Sequence, residues 1–371
     1  MRTVCKLDMC AGCMACISIC KKDAIKIQDS LNAYNAVIDT SKCIDCGSCE
    51  RVCQVNQNID DLKKPREWYQ GWATEQGIRK KASSGGAATA IMRAFIKSGG
   101  IVCSCTFEEG YFGFKFAEQI NEIDQFIGSK YIKSNPNNIY NKIKHLLKEG
   151  KKILFVGLPC QVAAVKNFVG IKLMKKLYTI DLICHGTPSP KIMDIFLKQY
   201  GMDLKGQNSF KFRDKDMFQV AVSGKYIVHK GAADRYSIAF LNSLIYTENC
   251  YSCKYARLER ISDITLGDAW GSELDLTERK KGLSLLLIQT QKGKEIVENA
   301  EMYLEDVDLE KSIAANHQLE YPSVKCPNSA AFWEKLKAGE KFDSLVKEQF
   351  PKQCFRQNIK QVLLKMKLIH R

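Results

Sequence analysis

Two runs of cysteine near the start of the chain share one spacing. CAGCMACISIC sets Cys10, Cys13, Cys16 and Cys20 apart by two, two and three residues, and CIDCGSCERVC repeats this at Cys43, Cys46, Cys49 and Cys53. The runs are offset by 33 residues, so the segment is an internal duplication. Thiolates are soft ligands. Three in so short a span can wrap one iron–sulfur cluster while the fourth reaches its neighbour. The spacing therefore assigns Cys10, Cys13, Cys16 and Cys53 to one 4Fe–4S cluster, and Cys43, Cys46, Cys49 and Cys20 to a second. Structural zinc fits less well, because its cysteine pairs are separated by a finger rather than strung in runs of four.

This module resembles two-cluster ferredoxins over about residues 1–58. It departs from them after the last cysteine of each run, where proline is usual and Lys21 and Gln54 stand instead. The departure alters the local turn and not the ligand set. DAIKI (Asp23–Ile27) and AVIDT (Ala36–Thr40) read as short strands framing the clusters, and Cys5 falls outside the pattern as a core or strand thiol.

A second group of candidates lies far downstream: Cys160 in GLPC, Cys184 in CHGTPS, and the pair Cys250 and Cys253 in CYSC. Two cysteines at strand ends plus one Cys-x-x-Cys could complete a tetrathiolate site. Four buried thiols would explain the same residues, since free cysteine packs as a small hydrophobe. Spacing alone leaves both open. His185, beside Cys184, is the best-placed histidine for protonating a reduced product; the alternative is a packing role.

Elements to position these residues are legible from pattern. DLKKPRE (Asp61–Glu67) is polar with a proline and reads as part of a linker over 59–67. SSGGAATAIMRAFIKSGG predicts a helix from about Gly85 to Lys97, capped by Ser83 or Ser84 and stopped by Gly99 and Gly100. Strands follow at Ile101–Phe107, YFGFKFAE, Lys151–Gly157 and Leu177–Cys184. The third leads into a helix at LPCQVAAVKNF and the fourth into one from about Lys191. Apolar strands alternating with helices argue for an α/β domain with a largely parallel central set. Ligands in such sheets bind beyond the carboxyl ends of the strands, and a glycine-rich helix start suits an anion.

The chain has 371 residues, 17 cysteines and a formal charge of +15. No apolar run at its start suits a signal peptide, and no stretch is long enough to span a membrane. With so many cysteines, a cytoplasmic setting with metal centres is expected rather than a disulfide scaffold. The basic residues are scattered and lack the aromatic pattern of nucleic-acid binders, which argues against nucleic acid as a partner.

SSGGAATA, GSKYIKS, GLPCQVAAV, DLICHGTPSP, CYSC and SDITLGDAWG, in that order, resemble the family of coenzyme F-420 hydrogenase/dehydrogenase beta subunits over about residues 68–290. The fused ferredoxin is similar to members found in polysaccharide-biosynthesis clusters. The resemblance implies an α+β ferredoxin-like dicluster domain (1–58), a larger α/β flavin-binding domain (68–310) and a mostly helical C-terminal segment (311–371). It implies FAD and a third 4Fe–4S cluster held by Cys160, Cys184, Cys250 and Cys253. Ser83, Ser84, Gly85, Gly86, Ser129, Lys130 and Tyr131 become flavin candidates, with Lys130 suited to phosphate charge. Asp263 and Asp268 are candidates to shape the cluster or flavin site, or to cap turns.

The function implied is an iron–sulfur flavoprotein oxidoreductase. It would pass electrons between an external carrier, the clusters, FAD and a small-molecule substrate. An electron-transfer subunit serving a catalytic partner is the alternative. Positive charge suits an acidic ferredoxin or flavodoxin, or an anionic reduced coenzyme such as a deazaflavin. At the far end, Phe355, Ile359, Val362, Met366 and Ile369 form an apolar stripe among basic residues over 352–371. Docking on its own domain is the commoner use of such a helix, and contact with an anionic membrane the other.

Overall fold

A computed structural model describes residues 1–58, 62–137 and 139–369. Residues 59–61 of the expected linker lie outside the described residues.

The N-terminal unit repeats in space what the sequence repeats in spacing. Helices Ala15–Ile19 and Ser48–Val52 are the same five positions of each copy. Each is preceded by a left-handed residue, Met14 (φ 62°) or Gly47 (φ 67°), and two positions earlier Gly12 and Asp45 are left-handed too. Two such turns in three residues bend the backbone around the thiols. Strands β1 (Ile25–Asp29) and β2 (Tyr34–Ile38) pair antiparallel, with Ile25 opposite Ile38. Both lie two residues nearer the hairpin turn than the sequence suggests. Asp23 takes a positive φ (47°), and Asp39 binds Ser41 in a local turn instead of continuing the strand.

The rest of the chain is built on one sheet. Strands β3 (Glu67–Ala73), β4 (Ile101–Glu108), β5 (Tyr111–Ala117), β6 (Ile153–Gly157) and β7 (Leu177–Leu182) belong to it. The next three, β8 (Phe210–Asp214), β9 (Met217–Val222) and β10 (Lys225–Tyr226), make a separate antiparallel sheet. Strands β11 (Ile264–Asp268), β12 (Ser284–Ile288) and β13 (Met302–Glu305) return to the first, whose order is β13-β3-β12-β11-β7-β6-β4-β5. Its middle, β11-β7-β6-β4, is parallel, and the flanking pairs are antiparallel.

Alternation along the strands sends side chains to two separate cores. Cys103, Ile153, Phe155 and Leu177 face the ferredoxin unit and pack with its Cys13, Ala15, Cys16 and Val52. Val102, Leu154, Val156 and Ile180 face the other way, onto the Ala87–Lys97 helix. Because both faces are covered, all five residues of β6 are buried.

That helix starts later than the serines suggest. Its N-cap is Gly86 (φ 89°), with no side-chain cap. The hydroxyls of Ser83 and Ser84 are engaged elsewhere: Ser83 Oγ accepts from Ser129 N at 2.9 Å, and Ser84 Oγ donates to Leu283 O. Beyond β13 the described part of the chain is mostly helical. Its helices Ser329–Lys337, Phe342–Gln349 and Pro351–Lys365 close a third core around Phe196, Tyr236, Phe332 and Phe342.

Candidate functional site: an iron–sulfur relay

In the N-terminal unit, Cys10, Cys13, Cys16 and Cys53 are all buried, while Cys20, Cys43 and Cys49 are half-buried and Cys46 is exposed. Burial, then Cys16 and Cys10, push the Cys13 thiol well up, with Cys53 adding to the effect. Cys16 is raised by burial and then by Cys10 and Cys53. Cys20 acts instead on Cys49. Cys53, the fourth of the second run, therefore stands near Cys10, Cys13 and Cys16, and Cys20, the fourth of the first, near Cys49. Cys5 lies between Cys10 and Cys53 as a protonated donor. It holds Cys53 down to about 6, and Cys10 is lowered by the same contact.

The downstream cysteines come from three places and meet at one cavity of about 90 Å³. Pro159, at the helix start after β6, pre-sets the backbone for Cys160 in the first turn. Cys184 follows β7 by two residues. Cys250 and Cys253 sit in and just after the tight turn Glu248–Ser252. Two loops are tied where they must approach: Thr247 N donates to Thr187 O at 3.2 Å. Thr247 Oγ1 and Thr187 Oγ1 lie 3.6 and 3.9 Å from Cys250 Sγ. Gly186 (φ 145°) is needed between them, because a Cβ there would meet the Tyr246 ring at 2.4 Å.

The cavity's remaining wall includes Met9, Ala11, Gln54 and Val55 of the ferredoxin unit, so the site lies directly behind the turns that carry Cys10 and Cys53. Lys133 Nζ donates to Ala11 O at 3.1 Å, Tyr255 Oη to Gln54 Oε1 at 2.8 Å, and Tyr140 Oη to Cys13 O.

The donor set fits a cluster. Burial and then Cys253 push Cys160 up to about 12. Cys184 is also raised, through burial and then Cys250, and Cys253 is raised for the same two reasons. Three buried thiols that resist ionising need a cationic centre to hold them as thiolates. Lys133 favours ionised Cys160, and Arg260 favours ionised Cys253. Among the described residues no three His, Cys, Asp or Glu side chains close on a position that one ion could take. The four thiols line a single cavity.

The flavin candidates form one assembly at the same end of the sheet. Gly85 packs where a Cβ would meet Gly71 O at 2.4 Å and Ser284 N at 2.7 Å. Lys215 Nζ straps the preceding loop through Ala82 O (2.8 Å) and Ser84 O (3.0 Å). Lys130 folds back onto Phe126 O (2.8 Å) and Gly128 O (3.0 Å), a local tie rather than a free cation. Tyr131 Oη accepts from Arg213 Nη1 at 3.0 Å, and Arg213 holds Asp268 in a two-point ion pair of 2.6 and 3.0 Å.

Between this assembly and the cavity stands His185, which lines the cavity and feels Asp268 and Arg213. Burial, then His317, lower it to about 4, so it is a neutral imidazole at pH 7. Gln318 Nε2 lies 2.8 Å from its Nδ1. Asp263 binds Thr179 N and Oγ1 with one carboxylate oxygen (2.8 and 2.9 Å) and Thr290 with the other (2.7 Å), which joins β7 to β12 and leaves it no part in the cavity.

Sequence reading missed Arg260, Asp181 and Lys133. Arg260 is 2% exposed, lines the cavity, and bonds Asp181 Oδ1 (3.1 Å), Leu182 O (2.8 Å) and Tyr255 O (2.8 Å). Its setting, ARLERISD, looks like any polar surface stretch. Only the alternation of β7, which turns Asp181 inward, was a signal.

Comparison with known proteins identifies the family. Residues 68–139 match the N-terminal family model of the coenzyme F420 hydrogenase/dehydrogenase beta subunit, residues 150–311 its C-terminal counterpart, and residues 9–57 a 4Fe-4S dicluster domain. The beta subunit of the F420-dependent formate dehydrogenase of Methanocaldococcus jannaschii is 26% identical over 292 residues, 74% of this chain and 70% of that protein. A subunit of the F(420)H(2) dehydrogenase of Methanosarcina mazei is 24% identical over 296 residues, 73% of this chain and 80% of that protein. One component of the F420-reducing NiFe hydrogenase complex from Methanosarcina barkeri overlays with a TM-score of 0.49 at 20% identity, covering 76% of this chain and 96% of that one. With both halves of the family and the dicluster domain in sequence, the chain belongs to the family of coenzyme F420 hydrogenase/dehydrogenase beta subunits, carrying an N-terminal 4Fe–4S dicluster domain.

Proposed function

We propose that the chain is the electron-transfer subunit of an oxidoreductase, relaying electrons through three 4Fe–4S clusters between a catalytic partner and a hydride-carrying coenzyme of the deazaflavin class. One observation carries this reading. Cys160, Cys184, Cys250 and Cys253 line a cavity whose opposite wall is the ferredoxin unit itself. Such contiguity suits a relay and has no use in a scaffold. The relatives' names support the subunit role, since both are subunits of F420-linked dehydrogenases.

When bound, the clusters would store single electrons, and FAD would convert between single electrons and a hydride. Cys46, exposed, makes the second N-terminal set the outer station, and the buried Cys10, Cys13, Cys16 and Cys53 the inner one. Lys133 and Arg260 offset the negative charge of thiolates at the third set. In this reading Ser83, Ser84, Gly85, Gly86, Ser129, Lys130 and Tyr131 border the flavin. Their hydroxyls and ammonium are engaged within the protein, so backbone groups do the binding. His185, neutral and between the two sites, positions rather than protonates.

The test is anaerobic purification followed by iron and flavin analysis. About twelve iron atoms per chain and bound flavin are expected. About eight would remove the third site, and absence of flavin would remove FAD. The lone chain should take electrons from a reduced deazaflavin and turn over no other substrate until a catalytic partner is added. Turnover of a small molecule such as a glycan precursor by the lone chain, with ferredoxin or flavodoxin as donor, would instead favour an independent enzyme.

A further inference from the structure

The C-terminal helix Pro351–Lys365 docks with one face and leaves its apolar face bare. Cys354 and Leu364 are buried, and Leu364 packs on Gly231. Gln353 Oε1 accepts from Asn242 (2.9 Å), Gln357 Oε1 from Ala233 N (3.0 Å) and Asn358 Oδ1 from Arg235 (2.6 Å). The expected docking on its own domain therefore occurs, through Cys354, Leu364 and a set of polar side chains.

The stripe read from the sequence points the other way. Phe355, Ile359, Val362 and Met366 are 65, 44, 53 and 64% exposed, and Leu368 beyond them is 65% exposed. Their spacing of three and four residues places them in one row. Single exposed apolar residues are ordinary, but a continuous row marks an interaction surface. Residues 351–369 contain Lys352, Arg356, Lys360, Lys365 and Lys367 and no acidic residue. At 3.6 residues per turn, Lys352, Arg356 and Lys360 follow one side of the row and Lys365 the other.

We propose that this helix lies flat on an anionic lipid surface, with the apolar row among the acyl chains and the flanking cations at the headgroups. Charge decides the occupant. A second copy would bring five cations against five. Cations on both sides of an apolar strip, with no anion among them, complement a plane of negative headgroups. The attachment is peripheral, since no described helix is long and apolar enough to cross a membrane.

The experiment is sedimentation of the full-length, cluster-loaded protein with vesicles of phosphatidylcholine alone or with about 30% phosphatidylglycerol. Binding to the anionic vesicles is expected, about tenfold weaker on neutral ones and in about 0.5 M salt. Phe355→Ser/Ile359→Ser/Val362→Ser/Met366→Ser should lower binding about tenfold or more, and Arg356→Gln/Lys360→Gln/Lys365→Gln about as much. Both variants alter side chains that are exposed, or half-buried in the case of Lys360, and none in the core, so iron content and helicity should not change. Failure of the wild type to bind anionic vesicles would overturn the proposal. So would a wild-type dimer that the four-serine variant makes monomeric, or an acidic protein that binds through the row while vesicles do not.

Discussion

Arg260 is the residue on which the relay site leans most. It is buried beside the cavity, and its guanidinium ties Asp181 on β7 to the chain segment after Cys253. Asp181 Oδ2 has no hydrogen-bond partner among the described residues. Arg260→Met should therefore leave a buried carboxylate without its counter-ion and cost about 3–5 kcal/mol, measurable by denaturant unfolding. An effect under about 1 kcal/mol would mean that Asp181 finds another partner. Cys250→Ala tests a different property. It should lower iron by about four atoms per chain and leave the paramagnetic signals of the N-terminal clusters in place. Loss of all iron would show instead that the three sets assemble as one.

At the level of elements, the loop before the Ala87–Lys97 helix is fixed by packing as much as by any ligand. Gly85 is wedged between β3 and β12, and Lys215 from the β8–β9 turn reaches across to hold Ala82 and Ser84. Burial, then Arg79, lower Lys215 to about 8 from the 10.5 of an exposed lysine. Between those values the unfolded chain holds the extra proton, so this group's contribution to stability rises with pH from about 8 to about 10.5. That slope should vanish in Lys215→Met, while amide exchange over residues 79–84 quickens. Unchanged exchange would mean that the strap contributes nothing to the loop. The SSGG motif thus has a structural reason of its own.

On the scale of the molecule, the ferredoxin unit is part of the main core rather than a bead on a linker. Cys16, Ala15 and Val52 share one apolar cluster with Cys103, Phe155 and Val165. Lys254 clamps Gln54 O and Gln57 O, and Ser189 Oγ donates to Asp29 at 2.6 Å. Deleting residues 1–58 should bare that apolar face and one wall of the third site. The remainder is expected to aggregate on size-exclusion chromatography. A monodisperse product that keeps about four iron atoms would show that the main domain stands alone.

What the sequence determined by itself was set by local repetition. Eight cysteines at one duplicated spacing, a glycine-rich helix start and apolar strands between helices are properties of neighbouring residues, and they located the dicluster domain and the parallel strands. Six motifs in order were enough to reveal the family. Strand limits, the cap at Gly86 and the duties of Lys130 and Ser84 were not legible, because each depends on backbone geometry or partners that local pattern does not encode. Tertiary structure alone decided that Cys160, Cys184, Cys250 and Cys253 share a cavity with the ferredoxin unit, that Arg260 and Asp181 stand behind them, and that the C-terminal stripe faces outward. Convergence of distant segments is fixed by how the sheet and its loops pack, and no single stretch of chain encodes it.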